Sequence, residues 1–83
     1  MNRLFSFSLD HYNMHVIPRI MEKYNMSQMD AARSFLTSET HNMLENAKLA
    51  LWEFSERAVF EMWEVERVTG DPRNSTHIRS ELA

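Results

Sequence analysis

The sequence contains no cysteine, a single glycine and only two prolines among its 83 residues. The absence of cysteine excludes disulfide bonds, thiolate zinc sites, iron–sulfur clusters and cysteine nucleophiles. From Arg19 to Thr69 there is neither glycine nor proline, so no strong helix breaker interrupts the middle of the chain. These absences predict an all-α protein.

Long apolar runs, glycine-rich loops and dense basic clusters are missing as well. No stretch approaches the ~18 apolar residues of a membrane helix, and the N-terminus lacks the apolar core of a signal peptide. We therefore expect a cytoplasmic protein that does not bind membranes. Without a phosphate-binding loop or a nucleophile motif, we expect no enzymatic activity and no cofactor.

The composition that remains is that of a folded chain, with 43% apolar and 25% charged residues. A single domain of this length has only a marginal core, and association often completes such a core. We therefore expect a small helical bundle of three to four helices, completed by homodimerisation.

The apolar pattern predicts a first helix over residues 8–24 and a second over residues 28–36. Pro18 lies on the polar side of the first helix, where it bends the helix; a fresh start near Pro18 is the alternative. Ser27 followed by Asp30 resembles a capping box that starts the second helix. We expect the second helix to bury four apolar side chains: Met29, Ala32, Phe35 and Leu36.

A third stripe of residues stays in phase over residues 38–69 and favours one long acidic helix that ends at Gly70. Its members are Thr40, Leu44, Ala47, Leu51, Phe54, Ala58, Met62, Val65 and Thr69. Such a helix is about 48 Å long, whereas a compact monomer is only about 30 Å across. A break near Ser55, which can act as an N-cap, is the alternative. Residues 71–83 form a tail.

A second apolar band on the third helix contains Trp52, Val59, Phe60 and Trp63. Because tryptophan-rich patches often anchor interfaces, this band is the predicted partner-binding surface. The alternative is a central helix that the first two helices bury on both sides. Glu66 falls between the two bands, where a carboxylate is costly unless it is paired or caps a helix, so we expect a partner such as Arg, Tyr or a backbone donor.

His11 and His15 have the i, i+4 spacing that lets two imidazoles share a metal on one helix face. Two ligands do not make a site, and the expected interpretation is two solvated histidines without a metal. The glutamates of residues 38–69 show no Glu-x-x-His pair, so a carboxylate-bridged metal bundle is not expected.

Residues 28–45 resemble the pattern of a helix-turn-helix, which is the basis of an alternative function as a small DNA-binding regulator. The usual turn glycine is missing, and the second helix presents Glu39 and Glu45 where a recognition helix approaches phosphates. Nucleic acid is therefore an unlikely partner from sequence.

Two segments, "MSQMDAARSFLTS" and "SERAVFEMWEVERVTGD", resemble those of short bacterial helical proteins of the domain-of-unknown-function kind. Some such proteins occur in toxin–antitoxin-like or accessory gene pairs. The resemblance covers most of residues 9–71 and carries no catalytic motif. It implies a non-enzymatic protein–protein interaction module, antitoxin-like or accessory, whose partner is a second copy or another protein.

Overall fold

The computed structural model describes the backbone of residues 3–46 and 54–76, and the side chains of residues 9–46 and 54–76. Four α-helices lie in these ranges: α1 (Arg3–Tyr24), α2 (Gln28–Leu36), α3 (Glu39–Glu45) and α4 (Glu56–Thr69). A short 3₁₀ helix, Pro72–Asn74, follows α4. The predicted all-α fold is confirmed. Among the described helices, none has the length and apolarity needed to cross a membrane.

The first two helices form largely where the sequence predicts them. α1 begins at Arg3, ahead of the predicted residue 8, and runs through Pro18 as one helix, so a fresh start at that proline is excluded. α2 has the predicted bounds, and the Ser27 hydroxyl accepts a hydrogen bond of 3.1 Å from the backbone N–H of Asp30. This bond satisfies one of the free donors at the start of the helix.

The prediction of one continuous helix over residues 38–69 is wrong. α3 ends at Glu45, and the next residue, Asn46, has an extended backbone with φ −87° and ψ 101°. α4 then begins after Ser55, whose hydroxyl accepts a 3.1 Å hydrogen bond from the N–H of Ala58. The largest dimension of the structure is 33 Å, too short for a helix of about 48 Å. The start of a new helix at Ser55, the alternative from sequence, is observed, although α3 already ends at Glu45; residues 47–53 lie outside the described ranges.

The core is formed by apolar side chains from all four helices, and α1 contributes its predicted stripe. Tyr12, Val16 and Ile20 are 3% exposed or less, which places one buried residue on each successive turn. The other core members are Ala31, Phe35, Met43, Leu44, Val59, Phe60, Met62 and Trp63. The prediction for α2 is only partly right, because Phe35 is buried whereas Met29 and Leu36 are 71% and 43% exposed.

Gly70 ends α4 as the sequence predicts. Its backbone is left-handed, with φ 85°, and its N–H donates a 2.7 Å hydrogen bond to the carbonyl of Glu66. The Asp71 carboxylate then accepts a 2.9 Å hydrogen bond from the N–H of Arg73 at the start of the 3₁₀ helix. Pro72 is buried, so the beginning of the predicted tail packs against the helices; residues 77–83 lie outside the described ranges.

Substitution of Gly70 by Ala is expected to lower the free energy of unfolding by about 1 kcal/mol, because an L-residue resists the left-handed region. A Cβ atom at this position meets nothing within 4 Å, so the cost comes from the backbone alone. Gly70→Asn is the matched variant, and it should cost less, since asparagine adopts this conformation more readily. Urea unfolding measures both; a larger loss for Gly70→Asn than for Gly70→Ala would contradict the backbone explanation.

Candidate functional site

The described part of the predicted aromatic partner surface lies in the core of the protein. Val59, Phe60 and Trp63 are 0%, 7% and 1% exposed, and Trp52 lies outside the described residues. The Trp63 ring meets Tyr24 of α1 edge-on at 5.6 Å between ring centroids, and its Nε1–H donates a 3.4 Å hydrogen bond to the carbonyl of Ser34 in α2. The expectation that these three side chains face a partner is wrong because they lie in the core, where Trp63 contacts α1 and α2. This agrees with the alternative from sequence, in which the first two helices bury this helix.

Glu66, predicted to need a partner, caps the start of α3. Its two carboxylate oxygens accept hydrogen bonds from the backbone N–H groups of Glu39 and Thr40, at 2.9 and 2.8 Å. The Thr40 hydroxyl donates a third bond, also at 2.8 Å. The negative charge of Glu66 also interacts favourably with the positive end of the α3 helix dipole. A seven-residue helix has little stability of its own, so this cap from α4 helps to fix α3.

Glu66→Gln is expected to lower the free energy of unfolding by about 2 kcal/mol, because the amide removes the charge and one of the two accepting oxygens. Exchange of the Thr40 backbone amide with solvent should also become faster. Glu61→Gln is the matched control on the same helix: it breaks an exposed ion pair with Arg57 at 3.5 Å and should cost less than about 0.5 kcal/mol. Equal losses for the two variants would show that Glu66 is not a specific cap.

A second carboxylate of α4, Glu64, is bound by α1. Its side chain accepts hydrogen bonds from the Lys23 ammonium, at 2.5 Å, and from the Tyr24 hydroxyl. The Arg67 guanidinium lies over the Tyr24 ring, 4.7 Å from its centroid. Burial raises the pKa of Glu64, but the hydrogen bonds from Lys23 and Tyr24 and the nearby positive charges outweigh it, so the pKa lies below its ordinary value of 4.5.

The lowered pKa of Glu64 predicts acid sensitivity. A carboxyl group whose pKa is lower in the folded state contributes stability well above pH 4.5, and this contribution is lost as the pH falls through the folded-state pKa. Glu64→Gln should therefore be less stable than the parent at neutral pH and lose less stability on acidification. Urea unfolding midpoints of the two proteins, measured from neutral pH down to values below 4.5, test this difference in acid sensitivity.

Glu22→Gln is the control for the acid experiment, because Glu22 is an exposed carboxylate on α1. This variant leaves the contacts of Glu64 with Lys23 and Tyr24 in place, so it should keep the acid sensitivity that Glu64 causes. A Glu64→Gln protein with the same acid dependence as the parent would show that Glu64 does not carry the effect.

A third carboxylate of α4, Glu56, meets the two histidines that the sequence singled out. The Nε2 atom of His11 and the Nδ1 atom of His15 lie 3.5 and 3.3 Å from the same oxygen, Oε2 of Glu56. The other oxygen, Oε1, accepts a 3.1 Å hydrogen bond from Arg19. Sequence reasoning missed Glu56 because it lies more than forty residues from the histidines; its place beside the Ser55 cap was the one local signal.

These contacts belong to one row of side chains on α1. His11, His15, Arg19 and Lys23 follow one another at four-residue steps, which places them on one helix face. The row meets Glu56 at one end and Glu64 at the other. We call these four residues the basic row. It pairs α1 with the carboxylates of α4.

Residues 28–45 fold as two helices joined by Thr37 and Ser38, which gives the segment the outline of a helix-turn-helix. The start of α3, where a recognition helix would meet DNA, is occupied by the Glu66 carboxylate. Thr40, His41, Met43 and Leu44 of α3 are buried, which leaves few side chains for bases. This arrangement favours a structural role for the segment.

No protein-family model, curated protein or solved structure matches the sequence. The resemblance to short bacterial helical proteins therefore stays a prediction.

Proposed function

We propose that this chain is a non-enzymatic protein–protein interaction module that associates with a second copy of itself through the outer face of α2. The observation that carries the proposal is the exposure of Met29 and Leu36, which are 71% and 43% accessible on the same short helix. These two residues lie seven positions apart, so they occupy one face two turns apart. Half-buried Ala32 lies between them.

The stripe of Met29, Ala32 and Leu36, here called the α2 stripe, suits an antiparallel pair of helices. A two-fold axis near Ala32 sets Met29 of one copy beside Leu36 of the other, as an isologous contact requires. The small Ala32 side chain at the crossing point lets the two backbones approach closely. Exposed Asp30 and Arg33 on the same helix add opposite charges that can pair between copies.

The α2 stripe, and not the aromatic band, is the surface that we propose for self-association. Val59, Phe60 and Trp63 support it indirectly, because they hold the inner side of the bundle while the outer side of α2 stays accessible. One nine-residue helix offers a small interface, and small interfaces are weak and transient. We therefore expect an equilibrium between monomer and dimer that responds to concentration.

The cellular setting that we propose is cytoplasmic and antitoxin-like or accessory. It rests on the resemblance of the two segments "MSQMDAARSFLTS" and "SERAVFEMWEVERVTGD". The first segment contains the whole α2 stripe, so the same residues support both the setting and the contact. DNA binding through residues 28–45, the alternative function, has less support because Glu39, Glu45 and Glu66 place three carboxyl groups on or beside α3.

Light scattering at two protein concentrations about a hundredfold apart tests self-association, because a small interface should give a mass that rises with concentration. Met29→Glu should hold the protein at the monomer mass, since it places a charge against the apolar Leu36 side chain of the other copy at both ends of the contact. Met14→Glu is the matched control: Met14 lies on α1 and is 69% exposed, close to the 71% of Met29, and its substitution should leave the dimer intact.

Two results would count against the proposal. The first is a monomer mass for the parent protein at both concentrations, and the second is an equal loss of association in the Met29 and Met14 variants. Far-ultraviolet circular dichroism of each variant ensures that a change in mass is not a loss of fold.

A further inference from the structure

We propose that His11, His15 and Glu56 form a binding site for a divalent transition-metal ion, with Zn²⁺ as the reference ion. The three residues each offer one ligand atom, and these atoms all lie within 4.8 Å of one another. The site is separate from the α2 stripe and does not depend on self-association.

The two distances between the Glu56 carboxylate and the imidazoles match the separation of ligands around one ion. Two ligands that each lie about 2.1 Å from a tetrahedral Zn²⁺ are about 3.4 Å apart. The observed distances from Oε2 of Glu56 to the ring nitrogens of His11 and His15 are 3.5 and 3.3 Å. Both exceed the usual 2.7–3.2 Å range of an N–H···O hydrogen bond. The Glu56 carboxylate therefore lies at a distance from each imidazole that suits a shared ion better than a direct hydrogen bond.

Local structure sets each ligand in place. Four-residue spacing on α1 brings the two imidazole rings to 4.4 Å between centroids. Glu56 is the first residue of α4, immediately after the Ser55 N-cap, so the cap fixes the backbone from which this carboxylate extends. Ligands supplied by two helices mean that the ion joins α1 to the start of α4.

Arg19 binds one carboxylate oxygen of Glu56 and leaves the other oxygen for the metal ion. Its guanidinium bonds Oε1 at 3.1 Å, which orients the carboxylate in the manner of an outer-shell partner. Oε2 is left facing the imidazoles. The positive charge of Arg19 also opposes a bound cation, so this site should be weaker than a site with a neutral partner on Oε1.

The ligand set selects the class of metal. Two imidazoles and one carboxylate suit Zn²⁺, Ni²⁺ and Cu²⁺, whereas Ca²⁺ and Mg²⁺ prefer oxygen ligands alone. Three protein ligands leave a fourth position open for water or for a donor atom of another molecule. The side chains of His11 and His15 are 47% and 43% exposed, so an ion can enter from solvent.

Isothermal titration of the full chain, purified without a histidine tag, with ZnCl₂ tests the site. We expect one Zn²⁺ per chain, and an increase in melting temperature on the order of 10 °C once free Zn²⁺ is a hundredfold above the dissociation constant. MgCl₂ should produce neither effect. Co²⁺ in place of Zn²⁺ should give the visible absorption of a four- or five-coordinate ion.

His15→Ala and Glu56→Gln should each weaken Zn²⁺ binding by about a hundredfold or more, since even the loss of an outer-shell partner costs 10- to 100-fold. Glu22→Gln is the matched control: it removes one exposed carboxylate from α1 and should leave the affinity unchanged. Glu56→Gln preserves the size of the side chain, so it keeps the test decisive if His15→Ala unfolds the protein. No Zn²⁺ binding by the parent, or binding that survives Glu56→Gln, would overturn the proposal.

Discussion

The packing of Trp63 is the interaction on which the arrangement of the described helices depends. Its ring meets Tyr24 of α1 and lies nearly parallel to Phe60 of α4, at 6.1 Å between centroids. Its one polar atom donates to the carbonyl of Ser34 in α2. A buried indole contributes a large apolar surface and needs a partner for its N–H. One side chain thus joins three helices and leaves its N–H satisfied.

The first two helices and the caps at Ser27, Ser55 and Gly70 could be predicted from the sequence because those signals are local. The long third helix could not be corrected from its pattern, since α3 and α4 both face the same core and their stripes remain in phase. Leu44 and Ala58, on either side of the break, are separated by fourteen residues, or about four helical turns. A break over such an interval leaves the periodicity unchanged. The Ser55 cap and the excessive length of a continuous helix were the two signs of the break.

The buried face of α2 shows a similar ambiguity. Phe35 lies three residues after Ala32 and four after Ala31, so either alanine shares its face. Sequence alone favoured the face with Ala32, Met29 and Leu36 because it is more apolar. The structure buries Ala31 instead, and the more apolar face points outward. Tertiary packing thus decided between two patterns of equal period, and the excess of apolar surface outside is what suggests association.

The sequence gives the number of carboxylates on α4, but it does not indicate which groups they bind. The position of Glu66 between two apolar bands indicated that it needed a donor, yet its donors, Glu39 and Thr40, come from α3, twenty-seven and twenty-six residues earlier. The partners of Glu64 and Glu56 lie on α1. The acidic character of residues 38–69 was visible in the sequence. Its conversion into contacts between helices requires the fold.

The basic row also explains why a metal fits at one end of the α1–α4 contact and not at the other. Near Glu64, Lys23 supplies a permanent positive charge, and Tyr24 supplies a further donor. Near Glu56, Arg19 bonds only Oε1, and the other oxygen faces two imidazoles, which bind transition metals through a ring nitrogen when they are neutral. The same four-residue spacing therefore gives an ion pair with Glu64 where the row contains lysine. It gives a set of metal ligands with Glu56 where the row contains histidine. The helix break before Ser55 brings Glu56 to this row. The apolar pattern did not reveal that break, yet the break creates the proposed metal site.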